Sequence, residues 1–377
     1  MISFIHTADL QIGMAASGVG SLAKKIQDAR VQSLGTVLDL ARTKKVDFVL
    51  IAGDLFDSNR ISKRLLSDAV RCLELVKPLR VFVLPGNHDF LGASSIYNTD
   101  EFQKLGDHVT ILRDEKPVTL PEMNLAIYGA PCFERYSNAS PAKSILKQPG
   151  TRFNVAVLHG SISARYGGNE AEDDYYPVSE EDLKALKMDY VALGHWHSLN
   201  PDPVTDPNSC FYYSGTPEPT GFGETKSGFV LYVELGANGR VVTPISTAHY
   251  RYVDISATLV DAASLESLRR QVEQISSPET RLVRLAPKGV ISLEMRNQLD
   301  KFIHGYENHF AYLRMDDSGV ILEPSEADLG QFTPGGIAQT AFQILNERKK
   351  TAATPEVRSQ YERAIALAYH AFKGDLE

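Results

Sequence analysis

Residues 46–57 have the sequence VDFVLIAGDLFD, in which an apolar, β-branched run stops at Gly53 and is followed by Asp54 and Asp57. A run of this kind predicts a buried strand. In α/β sheets, ligands collect beyond the carboxyl ends of the strands, where loops from separate strands converge. The stretch therefore predicts an α/β sheet that holds Asp54 at the edge where a functional site is expected.

Four further blocks of the same kind occur along the chain, each directly behind its own apolar run. They are DLQ at 9–11, GNHD at 86–89, HG at 159–160 and GHWH at 194–197. Asp, Asn and His supply the oxygen and nitrogen ligands that suit manganese, iron or zinc. One such block is a weak signal, because a single histidine at a strand end is usually structural. Five in series predict a site for two neighbouring ions and two-metal phosphoester cleavage.

The bulk properties limit the classes of protein that fit. A chain of 377 residues with average hydrophobic and charged content fits two or three globular domains. The net charge of −8 argues against a protein that coats DNA through a global positive field. It does not exclude a DNA enzyme, because bound cations can supply a local positive field. Three widely spaced cysteines suggest neither a disulfide framework nor a zinc knuckle. Without a membrane-length apolar run or a basic signal region, we predict a cytoplasmic protein with no membrane contact.

The order of strand and helix patterns predicts three parts. Alternating patterns up to about residue 245 predict a layered α/β domain over 1–248, which contains all five blocks. The following strand and helix patterns predict a small α+β module over 249–332. Residues 333–377 predict two amphipathic helices.

The order of the blocks, D-x-[H/Q], GDxxD, GNHD, HG and GHxH, resembles that of the calcineurin-like metallophosphoesterases. Within them the chain is most similar to the SbcD-type nucleases of double-strand-break repair. The closer resemblance rests on HTAD at 6–9, the stretch at 46–57, PGNHD at 85–89 and YSGTPE at 213–218. It implies a layered metallophosphoesterase β-sandwich flanked by helices, followed by an α+β capping domain and a C-terminal helical pair. The module after residue 250 resembles the capping domain only in size, order and element pattern.

The resemblance also implies a ligand set for two divalent ions, for which we expect Mn²⁺. The set is Asp9, Gln11, Asp54 and His197 for the first ion, and Asp54, Asn87, His159 and His195 for the second. Asp54 would bridge, because each of its oxygens can hold one ion. Gln11 departs from the histidine that is commoner at its position. Its amide oxygen is a weaker ligand than imidazole, so the first ion would be held loosely or through water.

Catalytic and supporting roles follow from the same resemblance. His88 matches the family's acid, which protonates or stabilises the leaving oxygen, and Asp89 is expected to orient its ring. Asp57 is expected to hold the loop after Asp54. His6 is expected to pack or hydrogen-bond beside the site rather than to bind a metal.

The sequence indicates the substrate and the partners less directly than it indicates the metal site. Arg60, Lys63 and Arg64 follow the second block closely, so they either face a phosphate backbone or simply begin a solvated helix. The resemblance implies DNA as substrate and an SbcC-type coiled-coil ATPase as partner. The two tail helices would bind that ATPase, or instead pack on the chain's own capping domain. A homodimer is implied by the resemblance alone, with residues 65–76 as a candidate face.

The metal-ligand blocks and the family resemblance together imply a manganese-dependent DNA phosphodiesterase, an exonuclease with some single-strand endonuclease action. By the resemblance, it would work beside an ATPase in double-strand-break repair. Two alternatives stay open. The first is a phosphoesterase for a small molecule or protein. Ser58 and Asn59 after Asp57, in place of the Arg-Gly of protein phosphatases, argue against it. The second is a weakly active or inactive adaptor of a repair ATPase, against which every ligand position other than Gln11 is intact.

Overall fold

The computed structural model describes residues 1–162 and 175–373 and separates into two compact units, Met1–Arg251 and Tyr252–Glu377. Residues 374–377 of the predicted tail lie outside the described residues. The three-part division at residues 248 and 332 stays a prediction.

The first unit contains two sheets and their covering helices. Its strands are β1 (Ile2–Thr7), β2 (Phe48–Ala52), β3 (Arg80–Leu84), β4 (Val109–Ile111), β5 (Val118–Leu120), β6 (Leu125–Ala130), β7 (Phe153–His159), β8 (Tyr190–Gly194), β9 (Phe211–Tyr213), β10 (Phe229–Gly236) and β11 (Gly239–Ser246). Its α-helices are α1 (Ala23–Lys44), α2 (Lys63–Leu75), α3 (Asp100–Gln103) and α4 (Glu180–Ala185).

The two sheets are built mainly from parallel strands. The six-stranded sheet has the order β11-β10-β1-β2-β3-β4, in which β1 to β4 are parallel and β10 is antiparallel to both of its neighbours, β1 and β11. The five-stranded sheet has the order β5-β6-β7-β8-β9, in which β6 to β9 are parallel. Parallel strands point their carboxyl ends to one edge, so the loops after β1, β2 and β3 lie side by side.

The burial of β2 explains why its sequence is apolar without alternation. Phe48 and Leu50 face the other sheet and pack in one core with its strands, whereas Val49 and Ile51 face α1 and α2 in a second core. A strand that is covered on both faces has no polar side. A third core covers the outer face of the five-stranded sheet. The predicted α/β sandwich flanked by helices is confirmed.

Two glycines allow the sheets to meet at the site. A Cβ on Gly194, at the end of β8, would collide with the carbonyl oxygen of Ala52, and a Cβ on Gly53 would collide with the ring of His159. Gly53 also has a φ of +93°, which favours glycine. The ends of β2, β7 and β8 can therefore approach closely, which brings residues from both sheets to one point.

The second unit is an α+β module. It contains β12 (Arg251–Thr258), β13 (Arg281–Ile291), β14 (Tyr312–Met315) and β15 (Gly319–Leu322), and the helices α5 (Ala262–Glu273), α6 (Leu293–Tyr306), α7 (Glu326–Leu329), α8 (Ile337–Lys350) and α9 (Pro355–Lys373). The sheet has the order β12-β13-β14, with β15 paired to β13. Leu268, Val283 and Phe302 belong to its core. A capping role for this module stays a prediction.

The helices α8 and α9 pack on each other, and α9 lies against β13 and β15 of the same unit. Phe342, Ile365 and Tyr369 are buried between them, and Phe332 and Leu345 pack against this cluster. Much of the amphipathic face that the sequence predicted is thus covered by this chain itself. Ile337 remains 83% exposed.

The helix α2 was the candidate face of a homodimer. Its residues Leu66, Val70 and Leu73 are buried in the core of the first unit, and Leu75 is exposed at its end. The homodimer stays a prediction. Within residues 1–162 and 175–373, no helix combines the length and the apolar character needed to cross a bilayer.

We expect Phe342→Ala to lower the unfolding free energy of the second unit by about 3–5 kcal/mol, because the 3%-exposed ring fills the space between α8 and α9. Ile337→Ala, on the same helix but at an exposed position, should change it by less than about 0.5 kcal/mol. Denaturant unfolding followed by circular dichroism measures both. Equal effects of the two substitutions would show that the helical pair is not packed as described.

Candidate metal centre

Three side chains form the centre of the site. Ligand atoms of Asp9, Asp54 and His159, which follow or end β1, β2 and β7, lie within 4.8 Å of one another, and all three residues are buried. Burial raises the pKa of Asp9 to about 6, although the imidazoles of His159 and His197 lower it. Two buried carboxylates beside an imidazole provide oxygen and nitrogen donors that fit a divalent metal ion.

The backbone at these loops adopts a conformation that side chains rarely take. Asp9, Gln11 and Asp54 have φ values of 53°, 52° and 52°, and His195 has 101°. Such left-handed residues are uncommon outside glycine and are found at functional sites. Here the loops after β1 and β2 hold each other, because the Asp9 N–H donates to Gly53 O at 3.1 Å and the Gln11 N–H to Asp54 O at 3.0 Å.

The carboxylate of Asp54 contacts three other residues of the site. One carboxylate oxygen accepts the His88 N–H at 2.9 Å, and the other lies 3.1 Å from Gln11 Nε2 and 3.4 Å from His159 Nε2. Burial alone would raise the pKa of Asp54, but the imidazoles of His159 and His88 hold it below its ordinary value. Contacts on both oxygens suit a carboxylate that serves two ions.

His159 is oriented so that one ring nitrogen faces the centre. Its Nδ1 lies 3.0 Å from Ala52 O, a carbonyl that can only accept, so Nδ1 carries the proton. Its Nε2 is directed at the oxygens of Asp54 and Asn87. Burial opposes a charge on this ring, yet the Asp54 carboxylate raises the pKa of His159 to about 9. The surroundings therefore favour a positive charge at this point.

Asn87 and His195 complete this side of the site. Asn87 Oδ1 lies 2.9 Å from His159 Nε2 and 3.4 Å from His195 Nδ1. The His195 N–H donates to both oxygens of Asp9, at 3.1 and 3.0 Å. The structure thus brings Asp54, Asn87, His159 and His195, the set expected for the second ion, into one group.

His197 has partners that the sequence analysis missed. Its Nδ1 lies 3.0 Å from Thr220 Oγ1 and 3.1 Å from Glu224 Oε1, and these two side chains are hydrogen-bonded to each other. Burial lowers the pKa of His197, but the Glu224 carboxylate and the acidic centre raise it above its ordinary value. With Nδ1 bound to Glu224, Nε2 is the nitrogen left for a metal. No spacing rule links Glu224 to a histidine 27 residues earlier.

The loop that carries Thr220 and Glu224 is anchored from two sides. The buried guanidinium of Arg30, on α1, donates to Glu218 O at 3.4 Å and to Pro219 O at 3.0 Å. The Glu218 carboxylate accepts the N–H groups of His249 and Tyr250, at 2.7 and 2.8 Å. The YSGTPE segment therefore has a positioning role, because it fixes the loop whose side chains orient His197.

His88 and Asp89 have different surroundings. The His88 side chain is 27% exposed; its Nδ1 lies 3.0 Å from Asp57 O and its Nε2 4.0 Å from Asp54 Oδ2. The structure differs from the expectation for Asp89, whose buried oxygens accept from Gly86 N–H, Phe56 N–H and Tyr97 O–H. Asp57 rather than Asp89 therefore fixes the ring of His88. Asp89 instead joins the loops after β2 and β3.

The remaining predicted residues lie outside this group. Arg60, Lys63 and Arg64 are exposed around the start of α2, whose N-cap is Ser62, and Arg64 lies 3.7 Å from Asp68. This placement fits the solvated helix start that was the alternative, and contact with a substrate stays a prediction. His6 is buried beside the site and its Nδ1 lies 2.9 Å from the Tyr190 hydroxyl.

The proposed metal ligands, from Asp9 to His197, lie within a segment that matches a known family. The family model described as calcineurin-like phosphoesterase matches residues 2–199. The "Uncharacterized metallophosphoesterase YhaO" of Bacillus subtilis is 27% identical over 89% of this chain and 86% of its own length. The "DNA double-strand break repair protein Mre11" of Methanopyrus kandleri is 25% identical over 71% of this chain and 62% of its own length. A subunit of the SbcCD nuclease of Staphylococcus epidermidis is 23% identical over 57% of this chain and 61% of its own length. This chain therefore covers less than two thirds of the Mre11 protein and of the SbcCD protein.

We expect Glu224→Ala to weaken the binding of one ion by about 10- to 100-fold, because His197 loses the carboxylate that fixes its ring. Isothermal titration with Mn²⁺ measures the affinity and the number of ions. The matched control is Glu266→Ala, at a half-exposed position in the second unit. Two ions bound with unchanged affinity would remove the proposed role of Glu224.

Gln11→His should tighten the binding of one ion by roughly tenfold, the equivalent of about 1.4 kcal/mol, because imidazole is a stronger ligand than an amide oxygen. The same titration checks it, with Gln27→His on α1 as the control outside the site. Unchanged metal affinity would mean that Gln11 acts only as the hydrogen-bond donor to Asp54 seen here.

Proposed function

The chain belongs to the calcineurin-like phosphoesterase family, and on that premise we propose that it is a two-metal, manganese-dependent DNA phosphodiesterase. The specific proposal is an exonuclease with some endonuclease action on single strands. The observation that supports it best is the group of Asp9, Asp54 and His159. Its members come from both sheets and point at one place.

The proposed ligands are those that the donor chemistry fits: Asp9, Gln11, Asp54 and His197 for one ion, and Asp54, Asn87, His159 and His195 for the other. When bound, the two ions would neutralise charge on the phosphoryl oxygens and provide an activated nucleophile at neutral pH. Mn²⁺ is proposed because the carboxylate and amide oxygens of this set suit it.

His88 is the residue that we propose for proton transfer to the leaving oxygen. Because the Asp57 carbonyl can only accept, His88 Nδ1 holds a proton and Nε2 is the nitrogen that gains or releases one. The ring is partly exposed and its Nε2 lies 4.0 Å from the carboxylate of Asp54, so a phosphodiester at the centre would be within its reach. In the protonated ring, Nε2 donates to the oxygen that leaves phosphorus.

The proposal of DNA as substrate is supported by the relatives. Two of them are named as part of a nuclease and as a double-strand-break repair protein. We propose that this chain also acts in DNA repair with an SbcC-type ATPase. Ile337 and the half-exposed Ile344 on α8 are apolar positions that its own unit leaves available for such a partner.

A second candidate function is left open by the relatives. YhaO, with which this chain aligns over 89% of its length, is named only as an uncharacterized metallophosphoesterase. Hydrolysis of a small-molecule or protein phosphoester by the same centre is therefore the alternative. An inactive adaptor is disfavoured, because Asp54, Asn87, His159 and His195 converge as a working centre requires.

We expect the purified full chain with Mn²⁺ to cleave linear and hairpin DNA, and EDTA to abolish the cleavage. His88→Asn should lower kcat by about 10²- to 10⁴-fold while both ions still bind, because it removes proton transfer and leaves the ligands in place. The matched control is His304→Asn, at an exposed position on α6, which should leave the rate unchanged. Cleavage assays on gels, with metal titration beside them, measure both.

The outcomes separate the candidates. Hydrolysis of bis-p-nitrophenyl phosphate without any cleavage of DNA would contradict the nuclease proposal and favour the second candidate. Two bound ions with no hydrolysis of either substrate would favour the adaptor.

A further inference from the structure

The loop that follows β6 exposes two aromatic rings. Phe133 is 51% exposed and Tyr136 is 53% exposed, and Glu134 and Arg135 between them are also exposed. We call residues 133–136 the aromatic loop. Rings that pack in a core bury most of their surface, so these two contribute little to the stability of the fold.

Backbone hydrogen bonds tie the aromatic loop to the candidate centre. Cys132, directly before it, donates its N–H to Pro85 O at 3.1 Å and accepts the Leu91 N–H at 2.8 Å. Pro85 and Leu91 flank the segment that contains Asn87 and His88. The aromatic loop therefore begins beside the segment that carries a proposed ligand and the proposed acid.

Tyr176 ties the other side of the aromatic loop to a second ligand segment. Its hydroxyl donates to Glu134 O at 2.7 Å, and its carbonyl accepts the Ser161 N–H at 3.2 Å. Ser161 lies two residues after the proposed ligand His159. The exposed rings are thus held between two segments of the centre by contacts that do not involve the rings themselves.

The side chains of the aromatic loop combine π-faces with the positive charge of Arg135 and the negative charge of Glu134. The guanidinium of Arg135 lies 5.6 Å from the centroid of the Tyr136 ring, whose other neighbour is the ring of Tyr175 at 4.4 Å. Within the described part of the chain, no ring or cation stacks on Phe133. A ring with a free face beside a cation fits a planar group attached to a phosphate.

We propose that the aromatic loop is a stacking platform for unstacked nucleobases of the substrate strand, with Phe133 and Tyr136 against the bases and Arg135 near a phosphate. This inference rests on the proposed nuclease function. Single strands, on which the proposed endonuclease action would work, can turn their bases to such rings. Stacking suits a nuclease that acts on any sequence, since every base has a π-face.

Binding in EDTA tests the platform without cleavage. The probes are a fluorescently labelled single-stranded oligodeoxynucleotide and an abasic strand of the same length and charge, and anisotropy gives the affinity at low salt. Phe133→Ala and Tyr136→Ala should each weaken binding of the normal strand by at least about fivefold. Neither should change binding of the abasic strand.

Two kinds of control accompany these variants. Phe133→Trp and Tyr136→Phe keep a ring and should restore the affinity. Phe372→Ala removes a ring of similar exposure, 46%, from the second unit and should bind both strands like the unaltered chain. Thermal melting verifies that each variant is folded.

Three results would overturn the platform: unchanged affinity for the normal strand, an equal loss on the abasic strand, or no binding of the normal strand by the unaltered chain. An equal loss would assign the rings to contacts with the sugar-phosphate backbone, and absence of binding would leave the rings for a protein partner. Base-dependent binding by a chain that cleaves no DNA would uphold the platform and reject the proposed function.

Discussion

The buried carboxylate of Asp54 is contacted by segments from both sheets of the first unit. It lies at the end of the central strand β2, and its oxygens contact the segment after β3 through His88, the loop after β1 through Gln11, and the second sheet through His159. A buried carboxylate without compensating partners would be strongly unfavourable. The fold therefore has to bring donors from both sheets to this position, and the glycines at 53 and 194 provide the space in which they meet.

The chemistry of this centre could be predicted from sequence because its signal is local. A proposed ligand such as Asp54 closely follows a strand, and parallel strands carry their ends to a common edge. Sheet order and precise partners are not local. The contact of His197 with Glu224 depends on a loop that Arg30 holds from a helix near the start of the chain. No pattern in either segment indicates the other.

Asp89 shows a second limit of sequence analysis. Adjacency to His88 suggested that Asp89 orients the ring, but in the bend at residues 87–89 the two side chains have different partners. Asp89 turns inward to two N–H groups and the Tyr97 hydroxyl, and a backbone carbonyl takes the role assigned to it. In the same way, the amphipathic pattern of α8 and α9 predicted that their apolar faces are buried, but it could not identify the residues that bury them. In the structure, Phe342 and Ile365 cover each other.

Charge constrains how such a chain can hold a polyanion. A net charge of −8 opposes the approach of DNA, and the cations Arg60, Lys63 and Arg64 lie on an exposed helix start, where salt screens them. Cations bound at the centre would attract one phosphate but not the rest of a strand. Stacking does not depend on the net charge of the protein, and the loop that exposes Phe133 and Tyr136 is joined by hydrogen bonds to the segments that carry the proposed ligands. In an acidic chain, the energy that positions a strand would then come mainly from its bases, and the metals would be left to act on the phosphate.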